Sequence, residues 1–70
     1  MKEVRFTVYL NRYRVERAKE FLAKMSSPTG EIGELCGFNS AQNFTRVFKK
    51  YAGVTPGQYR DELRRRAEDE

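Results

Sequence analysis

Histidine is absent from this 70-residue chain, and cysteine occurs once, at Cys36. Without histidine there is no imidazole to serve as a general base or a metal ligand. One cysteine cannot close a disulfide within the chain, and no Cys/His cluster can hold zinc. No metal and no other cofactor is therefore expected. No nucleophile–base pair is visible, so the chain is not read as an enzyme. No apolar run approaches the length that spans a bilayer, and no signal-peptide pattern opens the chain. A single free thiol fits a reducing compartment, which predicts a cytoplasmic location. Cys36 itself reads as a small buried apolar group rather than a reactive one.

What is present is charge and helix-forming sequence. Seventy residues allow one small domain with a marginal core. Fourteen Lys+Arg against ten Asp+Glu give a net charge of +4. Residues 1–24 carry seven basic and three acidic groups, and residues 41–60 carry four basic groups and no acid. The only charges in residues 25–40 are Glu31 and Glu34, and residues 61–70 are mixed. A basic stretch of that kind suits phosphate, although ordinary solvated surface charge has the same composition.

From Thr7 to about Lys24 there is neither Gly nor Pro, and the residues are good helix formers. Val15, Ala18, Leu22 and Met25 lie along one stripe, with Phe21 beside it. Glu16 and Glu20 precede Lys19 and Lys24 at ion-pair spacing. Met1 to Arg5 read as a start segment with little order. Phe6, Val8, Tyr9, Leu10 and Tyr13 are more apolar surface than one helix can hide. They either complete the core or face another domain. Ser27 and Pro28 read as N-cap and first residue of a second helix, about 28–36, burying Ile32, Leu35 and Cys36. Gly33 in its middle suggests a close helix crossing.

Gly37 suits a tight turn, Phe38 plugs that turn into the core, and Asn39 or Ser40 caps a third helix, about 40–51. In that helix Phe44, Val47, Phe48 and Tyr51 fall on one face. Gln42, Asn43, Arg46, Lys49 and Lys50 are left outside. Amide and guanidinium groups without an acid are the side chains that pair with adenine and guanine edges in a DNA major groove. Gly53 reads as the C-terminal cap. Thr55-Pro56-Gly57-Gln58 opens a fourth helix with a capping box, anchored by Tyr59 and Leu63. Arg64 to Glu70 read as a solvated tail.

The expected fold is all-α: a helix-turn-helix, homeodomain-like three-helix unit preceded by a long linker helix. Its segments are 1–25 (linker helix), 26–66 (helix-turn-helix unit) and 67–70 (charged tail). The turn is one residue longer than in the simplest such motifs, where Asn43 rather than Phe44 would be the first apolar anchor. Val4-Arg5-Phe6-Thr7-Val8-Tyr9 also echoes Val54-Thr55-Pro56-Gly57-Gln58-Tyr59 at an offset of fifty, with Val and Tyr in register.

Gly30-Glu31-Ile32-Gly33-Glu34-Leu35-Cys36-Gly37-Phe38-Asn39-Ser40, followed by Phe44 to Arg60, resembles the AraC/XylS family of bacterial transcription regulators. Tyr9 to Lys19 resembles that family's linker helix. The resemblance covers about residues 4–60. It implies the linker helix and the second of two helix-turn-helix units, with the first unit expected ahead of Met1. Gly33 stands where the family usually has Ala, a change expected to keep the size but loosen the helix. Asn43 stands where an aromatic residue is common.

The resemblance places base-reading roles on Ala41, Gln42, Asn43 and Arg46. Ser40, Thr45, Lys49 and Lys50 are better placed for phosphate. Arg12, Arg14 and Arg17 could meet phosphate or form a solvated face. The expected function is sequence-specific binding of double-stranded DNA as part of a bacterial transcription regulator. The alternative is a protein-interaction module using Phe6, Tyr9, Leu10 and Tyr13 on the linker helix. Its partner would be a second copy, in a homodimer, or RNA polymerase in the parent protein.

Overall fold

The computed structural model describes the backbone of residues 2–69 and the side chains of residues 7–68. Four helices follow in order: α1 Lys2–Lys24, α2 Thr29–Leu35, α3 Ala41–Ala52 and α4 Pro56–Asp69. Among the described residues the fold is all-α, a long helix followed by a three-helix arrangement consistent with a helix-turn-helix unit. At 1.5 Å per residue, α1 alone is about 34 Å long. It sets the long axis of a molecule measuring 45 × 19 × 17 Å. The other three helices all pack against it.

α1 begins at Lys2 rather than Thr7. Nothing between those positions breaks a helix: no Gly or Pro occurs before Gly30 except Pro28. Its buried stripe is Val15, Ala18 and Leu22, with Met25 half-buried just past its end. Glu16 pairs with Lys19 at 3.2 Å, while Glu20 turns back to Arg17 at 3.8 Å rather than forward to Lys24.

α2 starts one residue later than the Ser27–Pro28 reading predicts. Pro28 is the cap residue, with ψ 149° outside the helical range and no side-chain cap bond. Its carbonyl takes the first N–H groups, from Glu31 (3.1 Å) and Ile32 (3.2 Å). Leu35 is 62 % exposed, against the expectation that it is buried. At about 100° per residue, Ile32, Gly33 and Cys36 share one side of this seven-residue helix. Leu35 falls well off that side, and a helix this short has no second buried stripe.

The turn after α2 is closed by two bonds: Gly37 N–H to the Glu34 carbonyl (3.0 Å) and Phe38 N–H to the Gly33 carbonyl (3.0 Å). This is the Schellman pattern, and it needs the left-handed φ of 94° at Gly37. It swings Phe38 into the core. There Phe38, Phe44, Phe48 and Tyr59 form a continuous run of rings, with successive centroids 5.0, 5.7 and 5.6 Å apart. The run ties the turn to α3 and α3 to α4. Ile32, Val15, Ala18 and Leu22 complete the hydrophobic core.

α4 opens with the expected reciprocal cap. Gln58 N–H donates to Thr55 Oγ1 at 3.1 Å, and Thr55 N–H donates to Gln58 Oε1 at 3.0 Å. Tyr59 and Leu63 are half-buried, and the helix continues through residues 64–69, with the side chains of 64–68 exposed.

Candidate nucleic-acid interface

α3 is positioned at both ends by its own sequence. Ser40, in extended conformation, accepts the Asn43 N–H on its Oγ at 3.1 Å. Ser40 rather than Asn39 is therefore the cap. Because the hydroxyl oxygen is the acceptor there, its proton is left to donate outward. At the other end Gly53 takes the left-handed conformation, φ 85°, and returns its N–H to the Lys49 carbonyl at 2.8 Å. Phe44 and Phe48 are fully buried, and Val47 and Tyr51 are half-buried beside them. The inner face follows the predicted spacing.

The opposite face gathers Ala41, Gln42, Thr45, Arg46 and Lys49 around one shallow depression. All five are exposed. Among the described residues no carboxylate pairs with Arg46 or Lys49. Asn43 is set off from this group and is half-buried, its backbone committed to the Ser40 cap. Lys50 is exposed and reaches back over the Tyr51 ring at 5.7 Å. Of the eight interface positions read from the sequence, five therefore share one surface, and Ser40, Asn43 and Lys50 flank it. Of the first-turn amides of α3, Asn43 is taken by the Ser40 side chain and Phe44 by the Ser40 carbonyl.

The arginines of α1 separate. The Arg14 guanidinium lies 6.0 Å from the Phe38 ring and packs over the turn at Gly37. Arg17 lies 5.2 Å from the Phe21 ring and beside Glu20. Arg12 is exposed. Farther forward on α1, Tyr9 is 69 % and Tyr13 56 % exposed, Val8 is exposed, and Leu10 is half-buried. The Phe6 side chain lies outside the described residues.

Sequence reading assigns no role to Arg60. Its guanidinium donates to the Met25 carbonyl at 3.2 Å, joining α4 to the end of α1. The available signal was its place next to the anchor Tyr59. Burial pushes the Cys36 thiol above its ordinary pKa, and the nearby Arg17 charge partly offsets this. Among the described residues there is no metal-ligating cluster and no helix long and apolar enough to cross a membrane.

With this geometry in place, comparison with known proteins is decisive at the family level. The family described as "Helix-turn-helix domain" matches residues 3–62. The chain belongs to that helix-turn-helix family. It is 39 % identical over 61 residues to the uncharacterized HTH-type transcriptional regulator YtdP of Bacillus subtilis, covering 87 % of this chain and 8 % of that protein. It is 33 % identical over 51 residues to the probable transcriptional regulator LumQ of Photobacterium leiognathi, covering 73 % and 21 %. It is 40 % identical over 48 residues to the xylose operon regulatory protein of Escherichia coli K12, covering 69 % and 12 %. The helix-turn-helix chain thus spans 8 % to 21 % of these relatives' lengths. No solved structure matches it significantly.

Proposed function

We propose that this helix-turn-helix unit binds double-stranded DNA sequence-specifically as part of a bacterial transcription regulator of the AraC/XylS type, with α3 in the major groove. The observation that carries this reading is the exposed, acid-free face of Ala41, Gln42, Thr45, Arg46 and Lys49. Arg46 is the guanine reader, with two N–H groups for O6 and N7. Gln42 is the adenine reader, and Ala41 offers a methyl contact to thymine. Asn43, at the edge of the face, contributes from the flank. Ser40, Thr45, Lys49 and Lys50 hold phosphate. The transcriptional regulators named above, matched over most of this chain, support the same role.

The test titrates wild type and Arg46→Ala against matched and scrambled duplexes at fixed salt. Arg46→Ala is expected to remove most of the discrimination between them while leaving thermal stability unchanged. An equal loss on both duplexes would count against base reading.

A protein-contact role for the front of α1 is a second reading, favoured by the exposure of Tyr9 and Tyr13. It assigns Phe6, Tyr9, Leu10 and Tyr13 to a partner surface, a second copy or RNA polymerase. Light scattering of wild type and Leu10→Asp tests the self-association form. Loss of a dimer with helix content retained supports it.

A further inference from the structure

Two surfaces of this chain are not used by the DNA-binding reading, and each has what the other lacks. The first is a cleft of about 240 Å³ where the end of α1 meets α4. Leu22, Met25 and Leu63 give it an apolar floor, and Lys24, Arg60 and Arg64 give it a cationic rim without an acid. Arg60 is committed to the Met25 carbonyl, whereas Lys24 and Arg64 are exposed and among the described residues pair with no carboxylate. The cleft is smaller than the about 300–1,000 Å³ usual for small-molecule sites. It suits a single aliphatic side chain carried between negative charges.

The second surface is such a feature. Leu35 of α2 is 62 % exposed and lines one shallow depression of the outer surface with Glu31 and Glu34. Both glutamates are exposed, and among the described residues neither pairs with a cation. The side of α2 that carries Ile32 and Gly33 is turned to α3, so the Leu35 side points away from the core. In the folded chain Leu35 is exposed and the cleft is open, so both are available to a second molecule.

We propose that Leu35, flanked by Glu31 and Glu34, docks into the Lys24–Arg64 cleft of a second copy of this chain. The contact is heterologous, head to tail, since the two copies use different surfaces. One leucine in one small cleft buries far less than the about 1,200 Å² of a stable interface. The association is therefore weak in free solution.

Sedimentation equilibrium of the 70-residue chain without DNA, from about 10 μM to about 1 mM, tests it. Wild type is expected to associate in the upper part of that range. Glu31→Lys with Glu34→Lys should weaken association at least tenfold, and so should Lys24→Glu with Arg64→Glu. An equimolar mixture of the two variants should associate again, because each supplies one intact half. Circular dichroism checks that both fold, and Leu35→Asp, a change at an exposed side chain, provides a second route to the same loss.

Wild type that stays monomeric at about 1 mM overturns the proposal, as does a mixture that fails to recover. So does association abolished by Tyr9→Ser with Tyr13→Ser and insensitive to the charge reversals, which would locate it on the front of α1. If Lys24→Glu with Arg64→Glu weakens duplex binding while wild type does not self-associate, the cleft is a phosphate contact instead.

Discussion

A Cβ placed on Gly33 would lie 2.7 Å from the Cγ and Cδ2 atoms of Phe44. The backbone of α2 thus lies directly against the Phe44 ring of α3, which explains a glycine in the interior of a seven-residue helix. Alanine here is not the size-neutral change that the sequence suggests, because the ring it would meet is fully buried.

Gly33→Ala is therefore expected to destabilise the chain. Alanine recovers about 1 kcal/mol of helix propensity. Overpacking against a buried ring costs about 1–3 kcal/mol, and at a 2.7 Å approach the steric cost exceeds the gain in propensity. Urea denaturation of the two proteins measures the difference; a raised midpoint would show that α3 can move away cheaply.

Phe48→Ala should leave the chain largely unfolded. Phe48 is the ring that links Phe44 to Tyr59, and it is fully buried. Such truncations cost about 3–5 kcal/mol, comparable with the whole stability of a domain this small. Loss of most helical ellipticity at 25 °C is the expected reading.

Ser40→Ala removes the side-chain acceptor of the Asn43 N–H. The expected loss is about 1 kcal/mol of stability. Binding to matched and scrambled duplexes should fall together, since Ser40 is assigned to phosphate. Thermal melts alongside the titrations separate the two effects.

Lys49→Ala should weaken binding to every duplex by a similar factor and reduce the slope of log K against log salt by about one. Lys50→Ala should do less, because Lys50 leans over Tyr51. A change of sequence preference in either variant would move that lysine from phosphate to base contact.

The Cys36 thiol should be alkylated more slowly in the folded chain than in urea at mildly alkaline pH. Burial raises its pKa, so the thiolate is scarcer in the native state. The stability associated with this shift is fully present below the unfolded pKa, about 8.5, and is lost as pH rises through the higher folded value. Iodoacetamide trapping followed by mass measurement reads the rate.

Both ends of α3 and the start of α4 were legible from sequence, whereas α4 runs on to Asp69 through the charged run read as a tail. Ser40, Gly53 and the Thr55–Gln58 pair act within one turn of their own position, so local chemistry specifies them. The start of α2 was not. The sequence reading puts Ser27 at the cap, yet Pro28 supplies the first acceptor through its backbone carbonyl alone. The candidate interface divides in the same way. Outward placement of Gln42 and Arg46 follows from the spacing of Phe44 and Phe48. The half-burial of Asn43 and the diversion of Arg14 onto Phe38 do not.

By itself the sequence determined four helices, the inner face of α3 and the charge of its outer face, because helical periodicity and capping are short-range. Tertiary structure decided the rest: Leu35 left in solvent, Gly33 pressed on Phe44, and Arg60 bound to a carbonyl 35 residues away. Those outcomes depend on where one helix crosses another. No local pattern encodes a crossing, because the partner surfaces come from segments far apart in the chain.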